Sequence, residues 1–184
     1  MPIFDVLIFG EKGAGKKCFM QQMNEGQKTI HLKKTITRDE HFKYFDYIKM
    51  TVTLPNSEDQ VNMRLWRQTT EAKGFTSPQL NNAVCAIYLM DLTKQEADIG
   101  EKLLNHKKAL NDQCRPDIIS ILVGNKTDNP EKKIKKDRAR RLADKLQFLK
   151  YIEVSSTEGT NIGKVMEIIL SNVEKNQMWQ PERR

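Results

Sequence analysis

Apolar positions along the chain fall into two kinds of segment: short apolar or β-branched runs, typical of buried strands, and longer stretches with apolar residues at helical spacing. The short runs predict strands at Ile3–Phe9, Phe42–Leu54, Val61–Trp66, Ala83–Met90, Ile118–Val123 and Tyr151–Val154. The longer stretches predict helices at Lys16–Asn24, Ile99–Leu110, Lys135–Leu146 and Ile162–Val173. A turn signal at 55–57 indicates that the second and third strands form a hairpin. Since strands otherwise alternate with helices, the pattern predicts an α/β fold with a mostly parallel sheet covered by helices on both faces.

The length and composition fit a single globular domain. The chain has 184 residues, of which 38% are apolar and 30% charged, and these values are sufficient for a buried core and argue against disorder. We assign 1–177 to this domain and 178–184 to a short C-terminal tail. The first residues do not resemble a secretory signal, and no apolar run is long enough to span a membrane. Three widely spaced cysteines indicate a reducing compartment, so we expect a cytoplasmic protein.

The formal net charge of +7 favours anionic partners. Much of this surplus lies in the basic stretch 132–141, whose simplest interpretation is a solvated helix face. The alternative is contact with a membrane surface, which would make the protein peripheral at membranes. We expect no nucleic-acid partner, because the sequence has no recognised module for one and no aromatic residues interleave with the basic ones. We also expect a monomer.

A glycine-rich loop lies between the first predicted strand and the first predicted helix, and it fits the phosphate-binding pattern G-x-x-x-x-G-K. Its glycines allow backbone N–H groups and the helix N-terminus to surround phosphate oxygens. Its lysine adds a positive charge for the outer phosphates. We call residues 10–18 the phosphate loop. Its candidate ligands are Gly10, Glu11, Lys12, Gly13, Ala14, Gly15, Lys16, Lys17 and Cys18.

Lys17 stands where the phosphate-binding pattern requires a Ser or Thr hydroxyl for Mg²⁺. A protonated lysine has no lone pair to offer a metal. Its ammonium group therefore either takes the space of the ion and offsets phosphate charge itself, or turns to solvent and leaves nucleotide binding weak. The first interpretation predicts nucleotide binding with little or no dependence on magnesium. The sequence thus puts Mg²⁺ in doubt as a cofactor and assigns no metal ligand.

Two further loops lie at the carboxyl ends of predicted strands. The base loop, 125–128, reads Asn-Lys-Thr-Asp, and the carboxylate of Asp128 can accept hydrogen bonds from the ring N–H and the exocyclic amine of guanine. Adenine presents the opposite pattern. Asn125 can tie loops together, and the stem of Lys126 can cover the face of the base. The serine loop, Ser155, Ser156 and Thr157, can offer a backbone N–H to the guanine oxygen.

These motifs resemble those of Ras-superfamily GTPases, and the chain looks most like the Rab branch. The phosphate loop resembles the Rab loop with one residue changed, and the base loop matches the guanine motif of the family. Arg64-Leu65-Trp66 resembles the strand that carries Trp-Asp-Thr-Ala-Gly-Gln, and the serine loop stands where the family has Ser-Ala-Lys. The resemblance covers about residues 3–175. It implies a P-loop small-GTPase fold with a six-stranded, mostly parallel sheet, and GTP or GDP bound at the carboxyl ends of the strands.

The chain departs from the family at the motif Asp-x-x-Gly-Gln. Arg67 replaces the aspartate that holds the magnesium water shell, Thr70 replaces the glycine that senses the γ-phosphate, and Glu71 stands at the position of the glutamine that orients the attacking water. If the alignment is shifted by one residue, Gln68 stands at the aspartate position and Ala72 at the glutamine position. All three family residues are still lost. Because family catalysis depends on positioning and electrostatics, we expect slow or absent GTP hydrolysis and assign no catalytic residue.

The resemblance also suggests a switch threonine and a partner surface. Thr35 resembles the threonine that meets magnesium and the γ-phosphate, with Thr37 as the alternative. Effector or regulator proteins are expected to bind near 30–45 and 66–80. The opposing interpretation is a mobile loop that senses no nucleotide. Rab proteins usually end in prenylated cysteines, and residues 178–184 contain none. If the protein ends at residue 184, we expect no lipid anchor of that kind; if it continues, these residues do not decide the question.

Together these features predict a Rab-like regulatory protein that binds guanine nucleotides, hydrolyses GTP slowly or not at all, and presents its switch surface to protein partners in vesicle trafficking or signalling. The alternative is a pseudo-GTPase that binds no nucleotide and serves as a protein-interaction scaffold. A working GTPase with unusual metal handling is a third interpretation.

Overall fold

A computed structural model describes residues 1–25, 45–68, 77–95 and 97–181. The strands in these ranges are β1 (Pro2–Gly10), β2 (Phe45–Thr53), β3 (Gln60–Gln68), β4 (Ala83–Asp91), β5 (Ile119–Asn125), β6 (Lys150–Glu153) and β7 (Gln180–Pro181). The helices are α1 (Lys16–Glu25), α2 (Ser77–Asn82), α3 (Ala97–Gln113), α4 (Lys136–Lys145) and α5 (Ile162–Lys175). Each strand and helix predicted from the sequence has its counterpart here, although residues 42–44 of the second predicted strand lie outside the described ranges.

The six longer strands form one sheet in the order β2-β3-β1-β4-β5-β6. β2 runs antiparallel to β3, which confirms the predicted hairpin. The remaining neighbours are parallel. The predicted six-stranded, mostly parallel sheet is therefore confirmed for the described part of the chain. Because parallel strands end at one edge of the sheet, the phosphate, base and serine loops all emerge on the same side.

Alternating side chains on each strand divide the core between the two faces of the sheet. On one face, Val6 and Ile8 of β1 and Leu65 of β3 belong to the large cluster that α1 and α5 cover. On the other face, a second cluster packs under α3 and α4, and a third, around Leu7 and Trp66, packs under α2. Helices thus cover both faces, as predicted.

A buried carboxylate joins two central strands. Asp5 on β1 is 1% exposed and accepts hydrogen bonds from Arg64 on β3, at 2.6 Å from Nε and 2.8 Å from Nη2. The indole Nε1 of Trp66 donates to the same carboxylate at 2.9 Å. Three donors therefore satisfy a charge that would otherwise be costly to bury.

Two elements were not predicted from the sequence. Helix α2 has only six residues, and its segment SPQLNN has too few apolar positions to show a helical period. Strand β7 has two residues and pairs antiparallel with the start of β1. Met178, in the segment predicted as a tail, is buried, and Trp179 packs against the core cluster beside α5. None of the helices in the described ranges is both long and apolar enough to cross a membrane.

We predict that Asp5→Ala lowers the free energy of unfolding by about 3 kcal/mol, because it leaves Arg64 and the Trp66 indole without their acceptor. The matched control is Asp117→Ala, which removes a carboxylate that is 55% exposed and also paired with an arginine. Its effect should stay below about 1 kcal/mol. Urea denaturation followed by circular dichroism measures both, and equal losses would contradict a special role for Asp5.

Candidate nucleotide-binding site

The phosphate loop leaves β1 at Gly10 and enters α1 at Lys16. Gly13 and Gly15 have positive φ angles of 84° and 92°, which L-residues with a side chain rarely adopt. At Gly15 a Cβ atom would also lie 2.5 Å from the side-chain nitrogen of Asn125. The loop can therefore keep this path only with glycine at position 15.

Lys16 is held by backbone groups of the phosphate loop itself. Nζ of Lys16 donates to the carbonyl oxygens of Gly10 at 2.6 Å and Glu11 at 2.8 Å. Burial lowers the pKa of Lys16, and the positive charge of Arg67 lowers it further, while Glu11 opposes both effects. The side chain of Glu11 forms an ion pair with Lys102 on α3. The ammonium group thus lies inside the loop, where an anionic ligand would stabilise its positive charge.

Asn125, at the end of β5, connects three loops. Its Nδ2 donates to the carbonyl oxygen of Ala14 in the phosphate loop at 2.8 Å. Its Oδ1 accepts from the backbone N–H of Ser156 at 3.0 Å and from the Ser156 hydroxyl at 2.9 Å. Asn125 and Ser156 are both almost fully buried. The predicted role of Asn125 in tying loops together therefore has a direct structural counterpart.

The charged residues of the base loop each have a partner. One oxygen of Asp128 accepts from the hydroxyl of Ser155 at 2.7 Å, and Asp128 itself is exposed to solvent. Lys126 has a positive φ of 71°, and its Nζ donates to Asp91 at the end of β4 at 2.7 Å. The structure therefore brings the base loop and the serine loop together beside β4.

Sequence reasoning missed the contribution of Asp91. This residue is 4% exposed, and its carboxylate accepts from Lys126 and from the backbone N–H and hydroxyl of Thr93. Burial alone would raise the pKa of Asp91, but the hydrogen bonds from Lys126 and Thr93 outweigh it and hold the pKa below its usual value. An acid that directly follows an apolar strand was the available signal.

The remaining candidates lie around the same edge of the sheet. The thiol of Cys18 donates to the carbonyl oxygen of Ser156 at 2.9 Å, so α1 is joined to the serine loop as well. Lys12, Lys17 and Thr157 are exposed to solvent. Thr35, Thr37, Thr70 and Glu71 lie outside the described residues, as do most of the segments 30–45 and 66–80.

Arg67 lies at the end of β3, on the face of the sheet that α1 covers. Its guanidinium forms an ion pair with Asp46 on the neighbouring strand β2. Sequence reasoning missed Asp46, because the pairing depends on the register that places Asp46 opposite Arg67. The positive charge of Arg67 is one of the causes that lower the pKa of Lys16, after burial.

The residues at these positions do not fit a magnesium ion. Mg²⁺ requires oxygen ligands in octahedral geometry, whereas Lys17 and Arg67 carry positive charges where the family has a hydroxyl and a carboxylate. In the described ranges, no cluster of three or more acidic, histidine or cysteine side chains could hold a metal. The phosphate and base loops, by contrast, place the ammonium group of Lys16 and the carboxylate of Asp128 at the same edge of the sheet.

Comparison with known proteins agrees with these motifs. The sequence model of the Ras family matches residues 5–175. Ras-related protein RABA2b from Arabidopsis thaliana is 26% identical over 174 residues, covering 93% of this chain and 76% of that protein. Ras-related protein Rab-27B from Homo sapiens is 26% identical over 181 residues, covering 94% and 80% respectively. The predicted resemblance to Rab-like small GTPases is thereby confirmed.

We predict that Asn125→Ala destabilises the nucleotide-free protein by roughly 2 kcal/mol, because it removes three hydrogen bonds and leaves buried backbone groups of Ala14 and Ser156 without partners. Asn129→Ala is the matched control, since its side chain accepts a hydrogen bond from the backbone N–H of Glu131 at the surface. That change should stay within about 0.5 kcal/mol. Urea denaturation of both variants, after removal of any retained nucleotide, measures the difference. Equal stabilities would show that Asn125 does not hold the loops.

Proposed function

The chain belongs to the Ras family, and we propose on this basis that it is a Rab-like regulatory protein that binds GTP or GDP, hydrolyses GTP slowly or not at all, and acts by presenting a surface to protein partners. The observation that carries this proposal is the side chain of Asn125, which joins the phosphate loop to the serine loop. The bridge keeps the two loops in one relative placement, and a nucleotide that contacts both loops would need that placement.

In this proposal each loop holds one part of the nucleotide. The backbone of 10–18 and the ammonium group of Lys16 would surround the phosphates. Asp128 would accept from the edge of guanine, the stem of Lys126 would cover the base, and the backbone of the serine loop would meet the guanine oxygen. Asp91 would keep Lys126 in place. The bound nucleotide would supply the phosphates whose number distinguishes two states of the protein.

The proposed weakness in hydrolysis follows from charge and from missing residues. In P-loop GTPases a glutamine orients the attacking water, and a metal ion offsets the charge that develops on the phosphates. Glu71 would instead place a negative charge near developing negative charge. Arg67 offers no ligand to a metal, and Thr70 has replaced the glycine that senses the γ-phosphate. We therefore propose at most a slow GTPase.

We further propose that partners are effector or regulator proteins, in vesicle trafficking or signalling. The support is the similarity to proteins whose names mark them as Ras-related Rab proteins. The segments near 30–45 and 66–80 are the proposed contact surface. Helix α4 adds a basic, exposed face that includes Arg138, Arg140 and Arg141, which suits contact with an anionic membrane surface. Such contact would place a cytoplasmic protein peripherally at membranes.

The rival proposal, a scaffold that binds no nucleotide, is favoured by Lys17 and Arg67, because both remove a metal ligand that the family uses. The two proposals differ in a simple observation. Chromatography of the denatured protein would reveal retained GDP or GTP in the first case and none in the second. Calorimetry with GDP, GTP and ATP would then measure affinity directly.

We predict that the protein binds GDP or GTP at least about tenfold more tightly than ATP, and that Asp128→Ala weakens guanine-nucleotide binding by about tenfold or more, because a carboxylate acceptor for the base is lost. Asp137→Ala removes an exposed carboxylate in the first turn of α4 and serves as the control. It should leave the affinity unchanged. Equal binding of ATP and GTP would contradict guanine recognition by Asp128.

We predict a single-turnover GTP hydrolysis rate below about 3 × 10⁻⁴ s⁻¹, the intrinsic rate of Ras. Release of radiolabelled phosphate from the preloaded protein measures it. Lys16→Ala, purified in the same way, reveals contamination, since any activity that persists in it belongs to another enzyme. A faster rate that depends on Lys16 would overturn the proposal of weak hydrolysis.

A further inference from the structure

We propose that the guanidinium group of Arg67 binds the terminal phosphates of the guanine nucleotide in place of a divalent cation, so that nucleotide binding does not require Mg²⁺. This inference rests on the proposed function, because it needs a nucleotide in the site. It goes further by assigning a phosphate ligand that lies outside the phosphate loop, on a strand where the family has a carboxylate.

The position of Arg67 carries the first part of the argument. Strand β3 runs parallel to β1, with Arg67 opposite Ile8, two residues before the phosphate loop begins. Its side chain belongs to the same face of the sheet as Leu65, which α1 covers. Lys16 opens that helix. Arg67 therefore lies beside the phosphate loop and not on the opposite face, where Arg64 pairs with Asp5.

The hydrogen bonds of Arg67 leave one of its N–H groups available for a ligand. The side chain is only 16% exposed. Its Nη2 pairs with Asp46, which holds the planar group in place. Its Nε is buried and has no hydrogen-bond partner among the described residues. Buried N–H groups are rarely left without an acceptor, and a phosphate oxygen would supply one. Because guanidinium groups donate through several N–H groups at once, Arg67 can keep Asp46 and still bind a phosphate.

The positive charges of Lys16 and Arg67 favour an anion that both can approach. Lys16 and Arg67 lie close enough for one charge to disfavour the other, and the pKa of Lys16 is lowered by burial and by Arg67. Such a pair is stabilised by an anion that both cations can approach. Phosphate groups suit this role, since charge-assisted hydrogen bonds from arginine to phosphate are short and strong.

The charges of Lys17 and Arg67 can replace that of a divalent cation. Lys17 and Arg67 together bring two positive charges to the positions where the family uses neutral and negative residues to hold one divalent cation. A Mg²⁺ ion would meet the positive charges of these two residues, and neither Lys17 nor Arg67 offers it an oxygen ligand. Lys17 is exposed at the start of α1, so it adds charge near the phosphates, while the partly buried Arg67 adds directed donors.

Isothermal titration calorimetry with GDP and with a non-hydrolysable GTP analogue, each in Mg²⁺ and in EDTA, tests the inference on nucleotide-free full-length protein. We expect the wild-type dissociation constants in Mg²⁺ and in EDTA to agree within about threefold. Arg67→Ala should weaken binding in EDTA by about tenfold or more, because a charge-assisted hydrogen bond is lost. In EDTA, Arg67→Lys should bind with an affinity between those of the wild type and Arg67→Ala, because it keeps the charge without the planar group.

The matched control is Arg115→Ala. Arg115 is also ion-paired with a carboxylate, that of Asp117, but it precedes β5 at the opposite edge of the sheet. This variant should bind as the wild type does. Thermal unfolding of each nucleotide-free variant shows whether it is folded, and the comparison of Mg²⁺ with EDTA on the wild type needs no variant at all.

The results separate this inference from the proposed function. Binding that Mg²⁺ strengthens a hundredfold or more, or a folded Arg67→Ala variant with wild-type affinity in EDTA, would overturn the inference and leave the proposed function standing. The absence of any guanine-nucleotide binding by the wild type would overturn both. Guanine-specific binding that survives EDTA and falls in Arg67→Ala would support both.

Discussion

The side-chain amide of Asn125 connects segments that are far apart in the sequence: Ala14 lies 111 residues before it and Ser156 lies 31 residues after it. One small group satisfies a carbonyl oxygen, a backbone N–H and a hydroxyl in a region that is closed to water. The phosphate loop, the base loop and the serine loop consequently have one relative placement. Any ligand that touches two of them depends on this bridge, and Gly15 has no side chain because the bridge fills that space.

Around this bridge the structure places three positively charged residues, one of them outside the phosphate loop. Lys16 is held by two backbone carbonyl oxygens, and Lys17 is exposed at the start of α1. The charge of Arg67, on β3, helps to lower the pKa of Lys16. The side that would receive the guanine base has the ion pair between Asp91 and Lys126, and the carboxylate of Asp128. Change is thus concentrated where a metal would act, and the groups suited to guanine are retained. This contrast is the physical reason for proposing nucleotide binding together with weak hydrolysis.

Outside the site, the fold depends on apolar packing and on the ion pair between the buried Asp5 and Arg64. The clusters on both faces of the sheet are apolar, and the carboxylate of Asp5 is matched by donors from Arg64 and Trp66. On the far side of the hairpin, the carboxylate of Glu174 on α5 accepts hydrogen bonds from the turn residues Asn56 and Ser57. These hydrogen bonds join α5 to the turn end of the hairpin that carries Arg67 and Asp46.

The sequence by itself determined the order of strands and helices, because apolar periodicity is local, and it located the phosphate and base loops, because their residues are consecutive. It also identified Lys17 and Arg67 as departures from the family. Only the tertiary structure paired Arg67 with Asp46 and Asp91 with Lys126, since these contacts depend on strand register and on neighbours in space. It likewise revealed the short helix α2 and the pairing of β7, whose few residues carry no periodic signal and gain their order from the core they contact.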